Sequence, residues 1–116
     1  MATNPKTVLM NLTKVQGIHE ALVVGRDGFV IEHVGDMDPD ATGAVVSTAI
    51  GATEAMGHEL SQGDLFEMMA EYKEGTVIVA PIGGDAILGI AALESANLGA
   101  IRHAVKKNLR DLERAL

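Results

Sequence analysis

The sequence contains no cysteine and no tryptophan, and only three of its 116 residues are aromatic. The lack of cysteine excludes disulfides, a thiolate nucleophile and a cysteine-ligated metal, and it is compatible with a reducing compartment. Because Phe29, Phe66 and Tyr72 are the only aromatic residues, the core must be built from aliphatic side chains and methionine. The length predicts a single domain, residues 1–116, which buries enough surface to fold without covalent cross-links.

Basic residues are also scarce, with nine Lys and Arg against sixteen Asp and Glu and a net charge of −7. This balance argues against a nucleic-acid partner, which requires basic clusters. The charge is uneven, because residues 96–116 hold five of the nine basic residues and only two acidic ones. The longest apolar run, near 86–93, is too short to span a bilayer, and no basic and apolar leader is visible near residue 1. We expect a cytoplasmic protein with no membrane partner.

The chain lacks the motifs of common catalytic and cofactor sites. It has neither G-x-x-x-x-G-K-S/T nor a G-x-G-x-x-G that follows a strand, and the glycines at 83–84 lie between two predicted strands, where a turn accounts for them. Asp36, Asp38 and Asp40 alternate like a calcium loop, but the required glycine and final glutamate are missing, so helix capping is the simpler interpretation. The histidines and serines show no metal-ligand or nucleophile spacing. We therefore expect no enzyme, no cofactor and no metal.

Two hairpins are predicted from the turn residues. Residues 21–35, ALVVGRDGFVIEHVG, are two runs of β-forming residues around an Asp-Gly turn, which is a strong hairpin signal. Residues 76–93 repeat the pattern around Gly-Gly-Asp, and the strand at 86–93 is apolar on both faces, which is typical of a central strand covered on both sides. A third strand is expected at 64–72, where LFEMMAEY follows Asp64.

Three helices are predicted from their caps and apolar spacing. The first begins at Thr3 or Asn4, with Pro5 in its first turn, and ends at Gly17. The second runs from Asp38-Pro39 to about residue 60, and the third starts after Asn97. Its apolar stripe consists of Leu98, Ile101, Val105, Leu109, Leu112 and Leu116. The element order α-β-β-α-β-β-β-α predicts an α+β fold with helices on both faces of an antiparallel sheet.

The second helix is rich in small residues. Gly43, Ser47, Gly51 and Ala55 follow one another at i, i+4 spacing, although each glycine costs about 1 kcal/mol of helix propensity relative to alanine. Close approach of another helix or a sheet would offset that cost, and chance is the alternative.

Over nearly the whole chain, the sequence resembles the Roadblock (dynein light chain) family. The resemblance rests on the hairpin segments at residues 21–35 and 76–93, on the small-residue second helix and on ANLG at the start of the last helix. The compact length is similar to that of stand-alone bacterial and archaeal members, including the MglB-like gliding-motility proteins. The resemblance implies a profilin-like fold with strand order 2-1-5-4-3, one helix on one face of the sheet and two on the other. It also implies dimers that pair their third strands edge to edge and their second helices side by side.

The residues support the same dimer as the resemblance. The third strand is apolar on both faces and would lie at the edge of the sheet in the implied order, and an apolar edge strand is an aggregation hazard unless it is paired. We expect the interface to include residues from the small-residue row and the third strand. They are Gly43, Ser47, Gly51, Ala55, Leu65, Phe66, Met68 and Met69.

The functional expectation is a dimeric regulator or scaffold of a small Ras-like GTPase, which is what the resemblance implies. Glu54 and His58, exposed on the second helix, are the candidate partner-binding residues. The four arginines lie in the first hairpin turn and on the last helix, so any GTPase activation is expected to proceed without an arginine finger. The alternative is a structural adaptor subunit, or a profilin-like ligand-sensing module, of a signalling or motor complex.

Overall fold

The computed structural model of the protein describes residues 4–116. Its elements, in chain order, are α1 Pro5–Thr13, β1 Ile18–Gly25, β2 Val30–Val34, α2 Pro39–Glu59, β3 Met68–Tyr72, β4 Gly75–Ile82, β5 Ala86–Leu93 and α3 Leu98–Ala115. Asn4 is the N-cap of α1, where its side-chain Oδ1 accepts a hydrogen bond from the amide of Thr7 at 2.9 Å. The other candidate cap, Thr3, lies outside the described residues.

The five strands form one antiparallel sheet in the order β2-β1-β5-β4-β3. This confirms the order that the family resemblance implies. β5 lies at the centre of the sheet, and six of its eight residues are buried, as its doubly apolar sequence predicts.

Each face of the sheet has its own hydrophobic core. On one face, α1 and α3 pack against residues such as Val23 and Leu88. On the other face, α2 alone packs against Leu22 and Ile87. The first and last helices therefore lie opposite the second helix, as expected.

Three predicted boundaries are corrected. α1 ends at Thr13, and a turn containing Gly17, with φ of +98°, leads into β1. β3 begins at Met68 and not at Asp64, because the β3–β4 register would place Phe66 opposite Pro81, which has no amide hydrogen to donate. At the end of α3, Leu116 is 48% exposed and so lies outside the buried apolar stripe.

A buried carboxylate fixes the entry into α2. Glu20, 5% exposed, accepts hydrogen bonds from the backbone amides of Asp36 and Met37, both at 2.7 Å. Gly35 lies at a φ of +132°, and a Cβ there would collide with the Glu20 carboxylate. The Asp38 side chain then caps α2 by accepting hydrogen bonds from the backbone amides of Asp40 and Ala41, which confirms its predicted capping role.

Candidate interaction surface on the second helix and third strand

The small-residue row of α2 does not form a single outward surface. Successive i, i+4 positions rotate by roughly 40° around a helix of 3.6 residues per turn. Gly43 therefore faces the sheet, where a Cβ would lie 3.0 Å from Val30 Cγ2 and 3.1 Å from the Gly28 carbonyl oxygen. Ser47 is half-buried beside Gly28, whereas Gly51 and Ala55 are exposed to solvent. The requirement for glycine at 43 arises inside the subunit, so Gly43 is removed from the predicted dimer interface.

A second row on α2 borders an apolar groove. α2 packs mainly over β1 and β2 and leaves the part of its sheet face formed by β4 and β3 open beside it. The resulting groove has a volume of about 410 Å³. Its lining consists of Met37 just before α2, of Ala41, Thr42, Val45, Val46 and Ala49 in the first half of α2, and of Met68, Ala70, Tyr72, Val77 and Val79 from β3 and β4.

Large apolar side chains are exposed along this groove. Val45 is 68% exposed on α2, and Tyr72 is 65% exposed at the end of β3. Met56, about two turns beyond Ala49 on α2, is 58% exposed. Ala41, Val45 and Ala49 follow i, i+4 spacing, so the helical period could have identified them from the sequence. The prediction instead relied on the neighbouring row, because its glycines are unusual in a helix.

The predicted third-strand residues separate between the two sheet faces. Met68 lies on the α2 side, where its Sδ accepts a hydrogen bond from the Thr53 hydroxyl at 2.9 Å, and Leu65 packs against the same core. Met69 packs against the opposite core. Phe66 is 86% exposed in the connection that precedes β3. The structure thus brings Met68 to the groove, but the exposed part of the small-residue row lies on the other side of α2.

The partner-binding candidate Glu54 is already engaged by an arginine. Both of its carboxylate oxygens accept from the guanidinium of Arg26, at 2.6 and 2.9 Å, and Arg26 Nε donates to the Gly84 carbonyl at 3.0 Å. The hydrogen bond raises the pKa of Arg26 and lowers the pKa of Glu54. One ion pair therefore ties both hairpin turns at this end of the sheet to α2, while His58 is exposed one turn further along.

The contact between Arg26 and Glu54 also changes the expected positions of the arginines relative to α2. Arg26 lies in the β1–β2 turn, as predicted, but that turn folds against α2. One of the four arginines is therefore on the α2 side of the sheet, and its guanidinium is held by a bidentate contact.

Residues 4–116 provide neither a metal-binding cluster nor a membrane-spanning helix. In that part of the chain, no three His, Cys, Asp or Glu side chains are grouped so that they could hold a metal ion. The described helices also include none with the length and apolarity that a membrane crossing needs.

The architecture is that of a profilin-like module, with a five-stranded antiparallel sheet between one helix and two. The structure of profilin II from Acanthamoeba castellanii superimposes with a TM-score of 0.64 at 18% identity, over 93% of this chain and 95% of that one. The match supports the fold alone, because the sequence identity is low.

The chain belongs to the Roadblock/LC7 domain family, whose model matches residues 6–92. An uncharacterized protein of the archaeon Methanocaldococcus jannaschii, MJ0310, is 36% identical over 86% of this chain and 89% of its own length. Two solved structures are similar to this chain. MglB from Myxococcus xanthus superimposes with a TM-score of 0.89 at 17% identity, over 95% of this chain and 92% of that one. The gliding protein MglB from Thermus thermophilus superimposes with a TM-score of 0.87 at 23% identity, over 99% of this chain and 93% of that one.

Proposed function

We propose that this protein is a homodimeric regulator or scaffold of a small Ras-like GTPase. The observation that carries the proposal is the open apolar groove between α2 and β3, which runs directly into the outer edge of the sheet. The Roadblock/LC7 membership and the similarity to MglB structures favour a regulatory partner over a catalytic role.

The groove and the strand edge fit a second copy of the chain. If β3 pairs antiparallel with its counterpart, the two sheets join with their α2 helices on the same face. Each α2 then approaches the other across the groove, with Val45, Ala49 and Met56 at the contact. A stable interface of this kind buries more than about 1,000 Å², and it removes both the exposed strand edge and the exposed apolar side chains from solvent.

The GTPase is proposed to bind on the outward surface of the paired second helices. α2 contains no Lys or Arg, and its exposed polar side chains include His58 and Glu59. Within residues 4–116, Arg26 is the one arginine near this surface, and Glu54 accepts hydrogen bonds from both terminal nitrogens of its guanidinium. We therefore infer that any stimulation of hydrolysis comes from reordering the switch segments of the GTPase and not from an inserted arginine.

The test is retention of the small GTPases of the host organism by the immobilised protein. Each GTPase is loaded with GDP or with a non-hydrolysable GTP analogue. We expect retention that depends on the nucleotide, because order–disorder switches present different surfaces in the two states. His58→Glu should reduce retention, whereas Lys73→Glu, in the β3–β4 turn, should leave it unchanged.

Two outcomes would contradict this proposal. Equal retention in both nucleotide states would favour the structural adaptor alternative. The absence of retention in either state, with a protein that remains folded and dimeric, would exclude a direct GTPase partner among those tested.

A further inference from the structure

The basic residues of this protein are concentrated on one face of its sheet. Seven of the nine basic residues lie on α1 and α3, or on the residue that caps the end of α1. They are Lys6, Lys14, Arg102, Lys106, Lys107, Arg110 and Arg114. The same two helices hold only two acidic residues, Asp111 and Glu113. α2, on the other face, has three acidic residues and no basic one.

On α3, three of these basic residues and His103 form a row opposite the buried stripe. His103, Lys107, Arg110 and Arg114 follow i, i+4, i+7, i+11 spacing, and all four are exposed. The row is about 16 Å long at 1.5 Å per residue. It contains no acidic residue, because Asp111 and Glu113 project to its two sides.

Neither the helix dipole nor ion pairing within the chain accounts for the whole row. Attraction to the helix dipole acts within the last turn, which includes Arg114 but not Lys107. Like charges three and four residues apart destabilise a helix, so the row works against the stability of α3. Among the described residues, ion pairs engage Lys6 with Glu32 at 3.7 Å and Arg102 with Glu67 at 3.1 Å. For the other basic residues of this face, the described chain offers no carboxylate within 4.0 Å.

α1 continues the same surface. Lys6, Met10 and Lys14 follow i, i+4, i+8 spacing, opposite the buried Val8 and Leu12. Met10 is 48% exposed between the two lysines. Because α1 and α3 contact each other on one face of the sheet, both rows point away from the sheet in the same direction.

Contrary to the expectation from the sequence that no membrane is a partner, we propose that this α1–α3 face is a docking surface for a membrane that contains anionic lipid. The basic groups are spread across two neighbouring helices and are not gathered in a groove, which fits a broad, flat anionic surface. An exposed methionine between lysines suits the boundary between headgroups and acyl chains. The net charge of −7 does not decide this binding, because only two of the sixteen acidic residues lie on α1 and α3. The three acids of α2 lie across a molecule whose shortest extent is 26 Å, whereas charges are screened over about 8 Å at physiological ionic strength.

The proposed dimer presents two α1–α3 faces to the same membrane, and this one step rests on the proposed function. Antiparallel pairing of β3 keeps corresponding sheet faces on the same side, so both α1–α3 faces point toward the membrane. The paired α2 helices then face the cytoplasmic solution, where a GTPase could bind at the same time.

The experiment is co-sedimentation with phosphatidylcholine vesicles that contain about one-third phosphatidylserine, compared with pure phosphatidylcholine vesicles. Lys107→Glu and Lys73→Glu form a matched pair, because they make the same substitution at exposed sites, on the proposed face and in the β3–β4 turn. Each basic residue near an anionic surface contributes about fivefold to partitioning, so reversing Lys107 should lower it roughly thirtyfold. The turn variant should change it less than about twofold.

The outcomes distinguish a membrane from an acidic protein partner and from a net-charge effect. Binding to the anionic vesicles alone, weakened by Lys107→Glu and not by Lys73→Glu, supports the proposal. Equal weakening by both variants would show an effect of net charge and would overturn it. Failure to bind anionic vesicles at low salt would also overturn it, and tight binding to polyglutamate in that case would assign the face to an acidic protein. In a monomeric Val45→Glu background the difference between the two variants must persist, so failure of the dimer and failure of the docking face are distinguishable.

Discussion

Replacing Val45 by glutamate tests which side of α2 forms the dimer. Val45 is 68% exposed in the single subunit, so the fold of the monomer should lose less than about 0.5 kcal/mol. In the proposed dimer the same carboxylate would be buried against the partner's α2 without a counter-ion. Burying the two carboxylates of the symmetric dimer costs at least about 3–4 kcal/mol, which raises the dimer dissociation constant by at least about 10²–10³-fold. Light scattering at micromolar concentration should then report the mass of one chain, while the circular dichroism spectrum stays unchanged.

Gly51→Glu is the matched control on the same helix. A Cβ at position 51 meets nothing within 4 Å, and replacing glycine raises helix propensity, so this variant should fold at least as well as the wild type. It adds the same charge on the side of α2 away from the groove, and it should remain a dimer. Dissociation by Gly51→Glu with an intact dimer in Val45→Glu would refute the groove and restore the small-residue row as the interface. A wild-type protein that is itself monomeric would refute both.

Three further results are expected. Glu20→Ala should lower the free energy of unfolding in urea by about 2 kcal/mol, because the amides of Asp36 and Met37 lose their acceptor; an unchanged urea midpoint would contradict the role of this carboxylate. Glu54→Gln should cost less than about 1 kcal/mol, as for other exposed pairs. Because the pKa of Glu54 is lowered in the folded state, its contribution is present above the ordinary carboxyl pKa and is lost as the pH falls through the lowered value, so stability curves of the wild type and the variant should converge in acid. Arg26→Ala should leave any stimulated GTP hydrolysis within about tenfold of the wild type, whereas a loss of about 10³-fold with binding intact would reveal an arginine finger.

The positions of the elements were predictable because the signals that define them are local. The Asp-Gly turn before Phe29, the caps Asp38 and Asn97, and the doubly apolar run of β5 each specify a helix or a strand from a few neighbouring residues. The strand order was not derivable in this way. It came from the resemblance to the Roadblock family, since antiparallel pairing between β1 and β5 joins segments far apart in the chain.

The start of β3 was mispredicted for a non-local reason. The alternation in LFEMMAEY suits a strand throughout, but a strand needs a partner. Whether Phe66 can pair depends on what lies opposite it on β4, and that position is Pro81. Nothing within residues 64–72 carries this information.

The sequence by itself determined the helices and strands apart from the start of β3, the aliphatic core and the family, because each rests on local propensity, composition or motif. The surfaces were decided by the tertiary structure. Gly43 faces the sheet and Val45 faces solvent because α2 packs off-centre on the sheet. Glu54 meets Arg26 only because a distant turn folds against the same helix. The basic residues of α1 and α3 become one surface because both helices pack on one face of the sheet, and their separation in the sequence hides that proximity.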